Sequence, residues 1–553
     1  MKFWIRIGVC LSTIVWRPGV LAVELSASVL AARDSITKES IHPHMVELAD
    51  PRFDGRGAGS GDDLDAASYL IGVLRGSGVK AERQKVPLRI AELTSEGTSL
   101  SFQISGEEFW GKPKEDCLIY PDYFRTETRL ENIDLVYVGY GVDAQDDLGY
   151  NDYEREPGSP IDVKGKVVVY FAQTPPTEAF SPEPMAYYSG NDVKGRTAVE
   201  RGAIGVIVLW TPRFERVAPW STTVDSPNVL VTWVGPDGKP FEVWPELQLR
   251  AALSISAGEK LLGGTERFAE AVREAEAGRA KPQLLDAKVS FAILSKQTTA
   301  ESENVYAIVP GKSEANGGIP NEYVVWSGHY DHLGRVGNKI FPGALDNAWG
   351  VGSMLEAIRA FRLVPEDARP RRPILFLFPT AEEKGLRGSS FFVQNPPKGI
   401  SISQIVANFN VDMPMIFHEL HDVTGFGANY SSLQQVLETA AADCGIEATP
   451  DPNPERLLVR RGDQYSFLKG GVPPCSLKVG EKTNDPLVNG AALDKWWRDH
   501  IYHTHRDTVD QPFHFSAGEA FARFCFALAY RIADLEERPV LHDGFFKKKF
   551  GKK

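Results

Sequence analysis

Six side chains in the second half of the chain have the types that metal-assisted hydrolysis uses. They stand in Ser-Gly-His329-Tyr-Asp331-His-Leu-Gly, Pro-Gly-Ala-Leu-Asp346-Asn, Thr-Ala-Glu382-Glu383-Lys-Gly, Asn-Val-Asp412-Met-Pro and Ile-Tyr502-His503-Thr-His-Arg-Asp507-Thr. His329, Asp346, Glu383, Asp412 and His503 are two imidazoles and three carboxylates, the ligands that a pair of zinc ions takes. Two such ions about 3.5–4 Å apart share one water and lower its pKa toward ~7. Glu382 adjoins Glu383, and adjacent side chains rarely face one ion together. It is therefore free to accept the water's proton and pass it to a leaving amine. Taken singly, each residue has a plainer explanation: His329 as a core histidine, any carboxylate as a helix cap or ion-pair partner. Five together at strand ends are hard to explain that way.

The elements that must position these residues are legible as alternating runs. Asn304-Val-Tyr-Ala-Ile-Val-Pro-Gly, Tyr323-Val-Val-Trp and Pro373-Ile-Leu-Phe-Leu-Phe read as strands, and Gly350 to Leu363 and the stretch after Gly388 as helices. Such alternation predicts an α/β fold with a mostly parallel central sheet flanked by helices. Ligands in such sheets gather at the carboxyl ends of strands, where the motifs fall. Upstream, Asp62-Asp-Leu-Asp-Ala-Ala-Ser-Tyr-Leu repeats apolar residues at helical spacing. Gly55-Arg-Gly-Ala-Gly-Ser-Gly before it reads as a flexible turn leading into that helix. From about Cys117 the pattern changes to short β-type runs, Leu135-Val-Tyr-Val and Gly165-Lys-Val-Val-Val-Tyr-Phe among them. That block carries none of the metal-ligand motifs and reads as a separate, inserted module. The expected division is a larger domain over 23–116 and 285–540, an inserted β-rich domain over 117–284, and a basic tail over 541–553, read as solvated or frayed.

The motifs resemble those of the co-catalytic zinc aminopeptidases related to bacterial leucyl aminopeptidase, a group that includes glutamate-carboxypeptidase-like enzymes. The resemblance covers Gly55-Arg56 and its helix, Asn304 to Gly311, and Gly328 to Asp510. The inserted block, with Val163-Lys-Gly-Lys-Val-Val-Val and Gly202-Ala-Ile-Gly-Val-Ile, resembles a protease-associated domain. The resemblance implies two zinc ions per chain. His329, Asp346 and Asp412 would hold one; Asp346, Glu383 and His503 would hold the other. Asp346 would bridge them, as a carboxylate with an oxygen for each metal can. Tyr502 would bind the developing oxyanion, as in some relatives; packing is its plainer role. Asp331, two residues beyond His329 in an extended run, suits a hydrogen bond that orients the imidazole. The spacing of His503 to Asp507-Thr selects His503 over His505, and His332 is set aside with it. Lys384 and Arg387 read as neutralising the Glu pair or starting a helix. Two departures from the family pattern are Leu345, before the bridging Asp, and Trp349, a large aromatic near it.

Composition sets the remaining bounds. The chain has 553 residues, too many for a single core, so two or three domains are expected. A net charge of −12 argues against a nucleic-acid backbone as partner; the partner expected is a peptide substrate. Residues 1–22 read as a signal peptide, atypical at Arg17-Pro18, and imply export to the periplasm or beyond. No later run is long and apolar enough for a membrane span. Of five cysteines, Cys444 and Cys475 could form a bridge, with isolated buried thiols the equal alternative. His42 and His44 read as surface residues. The activity expected is exopeptidase, foremost an aminopeptidase. A carboxypeptidase or dipeptidase of the same fold, or a silent receptor-like homologue, are the alternatives; a metallophosphatase lacks an Arg-rich motif here.

Overall fold

Ile374–Phe378 reads Ile-Leu-Phe-Leu-Phe and is buried along its whole length, so both faces of the strand must be covered. The computed structural model, which describes residues 25–224 and 229–551, shows how. Pro474–Val479, Ile405–Val411, Tyr323–Ser327 and Ile374–Phe378 lie side by side and parallel. On one face lie helices Trp349–Leu363 and Phe515–Asp534, which bury Trp349, Phe361, Phe521 and Phe526 against Trp326, Phe376 and Phe409. The other face is closed by Arg387–Gln394 and Gln464–Lys469 through Phe392, Val393 and Phe467. Trp349 is thus a core residue, seated against Phe515 at 5.2 Å and the side-chain-free face of Gly518, rather than a wall of the substrate cleft.

One strand of 27 residues, Gln283–Val309, joins the two halves of the molecule. Its last residues pair antiparallel with Ile374–Phe378, and its middle pairs with Ala81–Leu93. Its first residues pair with Ser99–Ile104 and Glu127–Tyr137 of the inserted module. The module continues as a parallel run of Glu127–Tyr137, Val167–Phe171, Gly205–Leu209 and Leu249–Leu253, with its own aromatic core around Phe171 and Phe268. Leu100, Phe102, Val289, Phe291 and Ile293 belong to that core. The crossings between the two bodies therefore fall beyond Leu93 and within the long strand, and not at 116/117 and 284/285. The apolar pattern of that strand gives way to a polar stretch, Ser295 to Asn304, where its pairing passes from the module's strands to Ala81–Leu93.

The terminal basic segment is not a frayed tail. Phe545–Phe550 forms a short helix, and Phe546 is 1% exposed. Phe546 sits among Leu457, Val459, Tyr465 and Leu468 of the larger body and Ala186 of the module. Phe545 and Phe550 reach Tyr187 of the module, each at 5.7 Å, and Lys549 pairs with Asp147 at 2.9 Å. Its lysines mask an apolar face in the sequence. His44 is also less exposed than expected, since it bonds the Tyr69 hydroxyl at 2.6 Å. Cys117, Cys444, Cys475 and Cys525 are all free thiols, so the expected alternative of isolated thiols holds for Cys444 and Cys475. The signal-peptide segment lies outside the described residues. Among the described ones no helix is long and apolar enough to cross a membrane.

Phe546→Ala should remove a buried aromatic bridging both bodies and cost about 3 kcal/mol. Urea unfolding followed by tryptophan fluorescence checks this; an unchanged midpoint would mean that the helix does not hold them.

Candidate metal centre

Three of the predicted ligand motifs leave the sheet at the carboxyl ends of adjacent parallel strands. His329 follows Tyr323–Ser327, Glu383 follows Ile374–Phe378 and Asp412 follows Ile405–Val411. Asp346 stands in the turn before helix Trp349–Leu363, and His503 in the loop after helix Gly490–His500. All five converge. His329 Nε2 lies 3.3 Å from Asp346 Oδ1 and 3.3 Å from Asp412 Oδ1. His503 Nε2 lies 3.4 Å from Asp346 Oδ2 and 3.0 Å from Glu383 Oε2. Asp346 therefore turns one oxygen toward each imidazole.

The charges in this group need a cation. Asp346 is 2% exposed and Asp412 9%. Among the described residues no lysine or arginine pairs with the carboxylates of Asp346, Glu383 or Asp412. Buried carboxylates gathered this way repel, and a lone imidazole compensates weakly. Burial works against ionised Glu383, yet His503 and His332 hold its pKa well below the usual carboxylate range. Burial likewise lowers the pKa of His503, but Glu383 and Asp346 lift it to about 10. An unpaired acid cluster with imidazoles at two corners fits divalent metal. Oxygen and imidazole donors without thiolate suit zinc.

The backbone around the ligands is held in unusual conformations. His503, Ala381 and Met413 all have left-handed φ values, 55°, 52° and 48°. Each is a ligand or adjoins a site residue, and such strain persists only where surroundings enforce it. Gly343, at φ +58°, shows why that position is glycine. A Cβ there would stand 2.1 Å from the Asp346 carbonyl and 2.6 Å from the His332 ring.

Asp331 serves the site differently from its expected role. Its carboxylate accepts the backbone N–H of Glu382 at 3.0 Å and of Glu383 at 3.4 Å. The His329 Nδ1 contact within hydrogen-bond range goes to the Asp331 main-chain oxygen, at 3.1 Å, with the carboxylate 3.7 Å away. Asp331 thus fixes the Glu382–Glu383 turn and touches the imidazole through its backbone. Glu382 is partly buried; burial and the carboxylates of Glu383, Asp412 and Asp463 raise its pKa well above the usual range, against the pull of His329. Tyr502 stacks on His503 with ring centres 3.7 Å apart. Burial and the surrounding carboxylates keep its hydroxyl protonated.

Residues 304–529 match the profile described as Peptidase family M28. Among curated relatives, the probable leucine aminopeptidase 2 of Arthroderma benhamiae is 27% identical over 242 residues, 40% of this chain and 43% of that protein. Leucine aminopeptidase 2 of Trichophyton rubrum is 26% identical over 242 residues, with the same coverage of 40% and 43%. The chain thus spans less than half the length of the curated relatives it matches. A solved structure, the aminopeptidase from Aneurinibacillus sp. strain AM-1, superposes with a TM-score of 0.56 at 18% identity, covering 94% of this chain and 98% of that one. That likeness is one of fold.

Several residues of the M28 domain and its surroundings matter more than the sequence suggested. His332, set aside on spacing, is fully buried, with Nδ1 2.7 Å from Glu383 Oε1 and 3.9 Å from Asp346 Oδ2. It holds the ligand Glu383 from behind. His505 is exposed on the cleft rim. Asp507 accepts the backbone N–H groups of Leu345 and Asp346, each at 3.0 Å, tying the His503 loop to the Asp346 turn. The Asn347 amide donates to Val411 O at 2.9 Å and His329 O at 3.3 Å, and its oxygen accepts Met413 N–H, so it stitches two ligand-bearing strands. Asp463 is a further buried acid, and burial raises its pKa to about 7.

Arg56 is 1% exposed and donates to the carbonyls of Leu48, Tyr330, Pro342 and Gly343. Burial lowers its pKa to about 10 against the pull of Asp331, Asp507, Asp346 and Glu383. The glycine-rich turn is therefore docked rather than flexible, with Gly57 bridged to His332. Its Gly59 and Gly61 N–H groups are spent on Asp63.

His332→Ala should weaken zinc affinity roughly ten- to hundredfold by freeing Glu383, while Asp346→Ala should abolish retention. Competition against a colorimetric chelator measures both. Equal affinity for His332→Ala and the unmodified protein would remove His332 from the site.

Proposed function

We propose that the protein is an exported aminopeptidase that removes N-terminal residues from peptides with the help of two zinc ions. The observation that carries this is Asp346, whose two oxygens face His329 and His503 at 3.3 and 3.4 Å. His329, Asp346 and Asp412 would hold one ion, and Asp346, Glu383 and His503 the other. Bound there, zinc supplies Lewis-acid polarisation of the scissile carbonyl and lowers the pKa of the attacking water toward ~7.

The chain's own groups supply the proton traffic and the positioning. Glu382 accepts the proton of the attacking water and delivers it to the leaving amine; its environment raises its proton affinity, as a shuttle requires. The Asp331 carboxylate holds the backbone of Glu382, so the base does not drift with its loop. Tyr502 keeps its hydroxyl proton and donates it as a hydrogen bond to the oxygen that gains charge. A cleft of about 1940 Å³, lined by Glu383, Asp412, Tyr502 and His503 at one side and by residues of the inserted module at the other, admits a peptide. The matched curated relatives are named leucine aminopeptidases, which favours the amino end over the carboxyl end.

Glu382→Gln should keep its metal while peptide hydrolysis falls by roughly 10²–10⁴-fold; a variant as active as the parent would sink the assigned base. A panel of free and N-acetylated peptides reads the polarity. Release of the first residue from free peptides is expected, and cleavage of acetylated ones would convert the assignment to carboxypeptidase.

A further inference from the structure

The whole chain is acidic, with 73 Asp and Glu against 61 Lys and Arg. The cleft reverses this sign. Eleven lysines and arginines line it against six carboxylates, and two of those six, Glu383 and Asp412, belong to the metal set. Two others are already paired. Asp494 holds Arg498 at 2.9 Å and lies 3.7 Å from Arg456, and Asp499 holds Lys495 at 2.6 Å. Eight of the eleven cations have no carboxylate partner among the described residues; Arg213, Arg387 and Lys478 donate to carbonyls of other segments, which leaves Arg216, Lys339, Lys384, Arg461 and Arg506 beside the carboxylates of Glu455 and Glu481.

The placement of these cations is as telling as their number. Arg216 follows the short helix Pro212–Glu215 of the inserted module, while the others rim the peptidase body. Cations contributed by both bodies to one cleft raise the potential within it, and low-dielectric sides focus it. A neutral peptide gains nothing from such a field. A peptide with carboxylates beyond its first residue would be steered in and held, its acids meeting guanidinium forks able to bind them bidentately.

We propose that the cleft selects acidic peptides, holding side-chain carboxylates of residues beyond the N-terminal one between Arg216 of the inserted module and Lys339, Lys384, Arg461 and Arg506 of the peptidase body. The module would then take part in substrate choice. This rests on the aminopeptidase assignment above.

The test compares the zinc-loaded full chain on Leu-Glu-Glu-Ala-amide and Leu-Gln-Gln-Ala-amide at about 20 mM and about 0.5 M salt. The acidic peptide should be favoured roughly tenfold in kcat/KM at low salt, and the preference should collapse at high salt. The double variant Arg216→Glu with Lys384→Glu should invert the preference, with zinc content and unfolding temperature reporting that it folds. Should it not fold, Arg216→Gln alone should shrink the preference. Equal rates on the two peptides at low salt, or a preference untouched by both variants, would overturn the proposal. So would a preference that appears only when Leu-Ala-Ala carries a free carboxyl terminus, since that points to the terminal carboxylate. If neither peptide loses its first residue, the aminopeptidase assignment fails instead.

Discussion

Three carboxylates stand together in a buried pocket with no lysine or arginine in an ion pair with them among the described residues, and the rest of the peptidase body is arranged around that imbalance. Two unit charges about 4 Å apart repel by roughly 4 kcal/mol at the effective dielectric of a partly buried site. Asp346, Glu383 and Asp412 would separate if their backbones allowed it. They do not, because each is fixed through its main chain. Asp507 holds the amide of Asp346, Asp331 that of Glu383, and Asn347 stitches the strand ends that carry His329 and Asp412. Arg56 spends its donors on carbonyls and pairs with none of these carboxylates, and the buried Lys478 ammonium likewise binds the main-chain oxygens of Asp412 and Met413. The arrangement preserves a demand for cations and leaves metal to meet it.

This division explains what was legible in the sequence. Motifs at the ends of apolar runs drew attention to His329, Glu383 and Asp412, and the family resemblance gave them their expected roles as ligands. The parallel sheet was legible for the same reason, since strands buried on both faces lose polar alternation. The supporting residues carry no such mark. His332 looked like a neighbour of a ligand, and only the path of its loop turns its ring toward Glu383. Arg56 sits in a run of glycines that reads as flexible, because the carbonyls that fix it come from residues far along the chain. Asp331 was expected to touch an imidazole, and the amides it takes belong to a turn some 50 positions later. Side chains that bind backbone leave little trace in the sequence of their partners.

The inserted module was legible as a unit, and its attachment was not. A strand of 27 residues runs through both bodies, and the polar stretch from Ser295 to Asn304 where it changes partners reads in the sequence like any exposed segment. The joint is nevertheless stiff. A shared strand cannot hinge without losing ladder hydrogen bonds on both sides. A second tie comes from the Phe545–Phe550 helix, whose Phe546 fills a pocket made by both bodies. A third is Lys469, which pairs with Asp192 at 3.3 Å and with Glu242, both from the module. A fourth is Trp233 of the module, whose ring meets Phe391 of the peptidase body at 5.3 Å.

Stiffness of this kind bears on how the cleft works. A module on a flexible tether would present its cations at no fixed distance from the metal set, and its field would average away. Held by a continuous strand, a helix and an ion pair, it keeps Arg216 in the same cleft as His503 and Tyr502. The cost of ordering that wall is then met during folding and not when substrate binds. The same logic governs the metal ligands, whose repulsion is also overcome in folding. The cleft thus holds charge of both signs in unfavourable arrangements until ions of opposite sign arrive: a cation for the carboxylates, and an anion for the unpaired lysines and arginines.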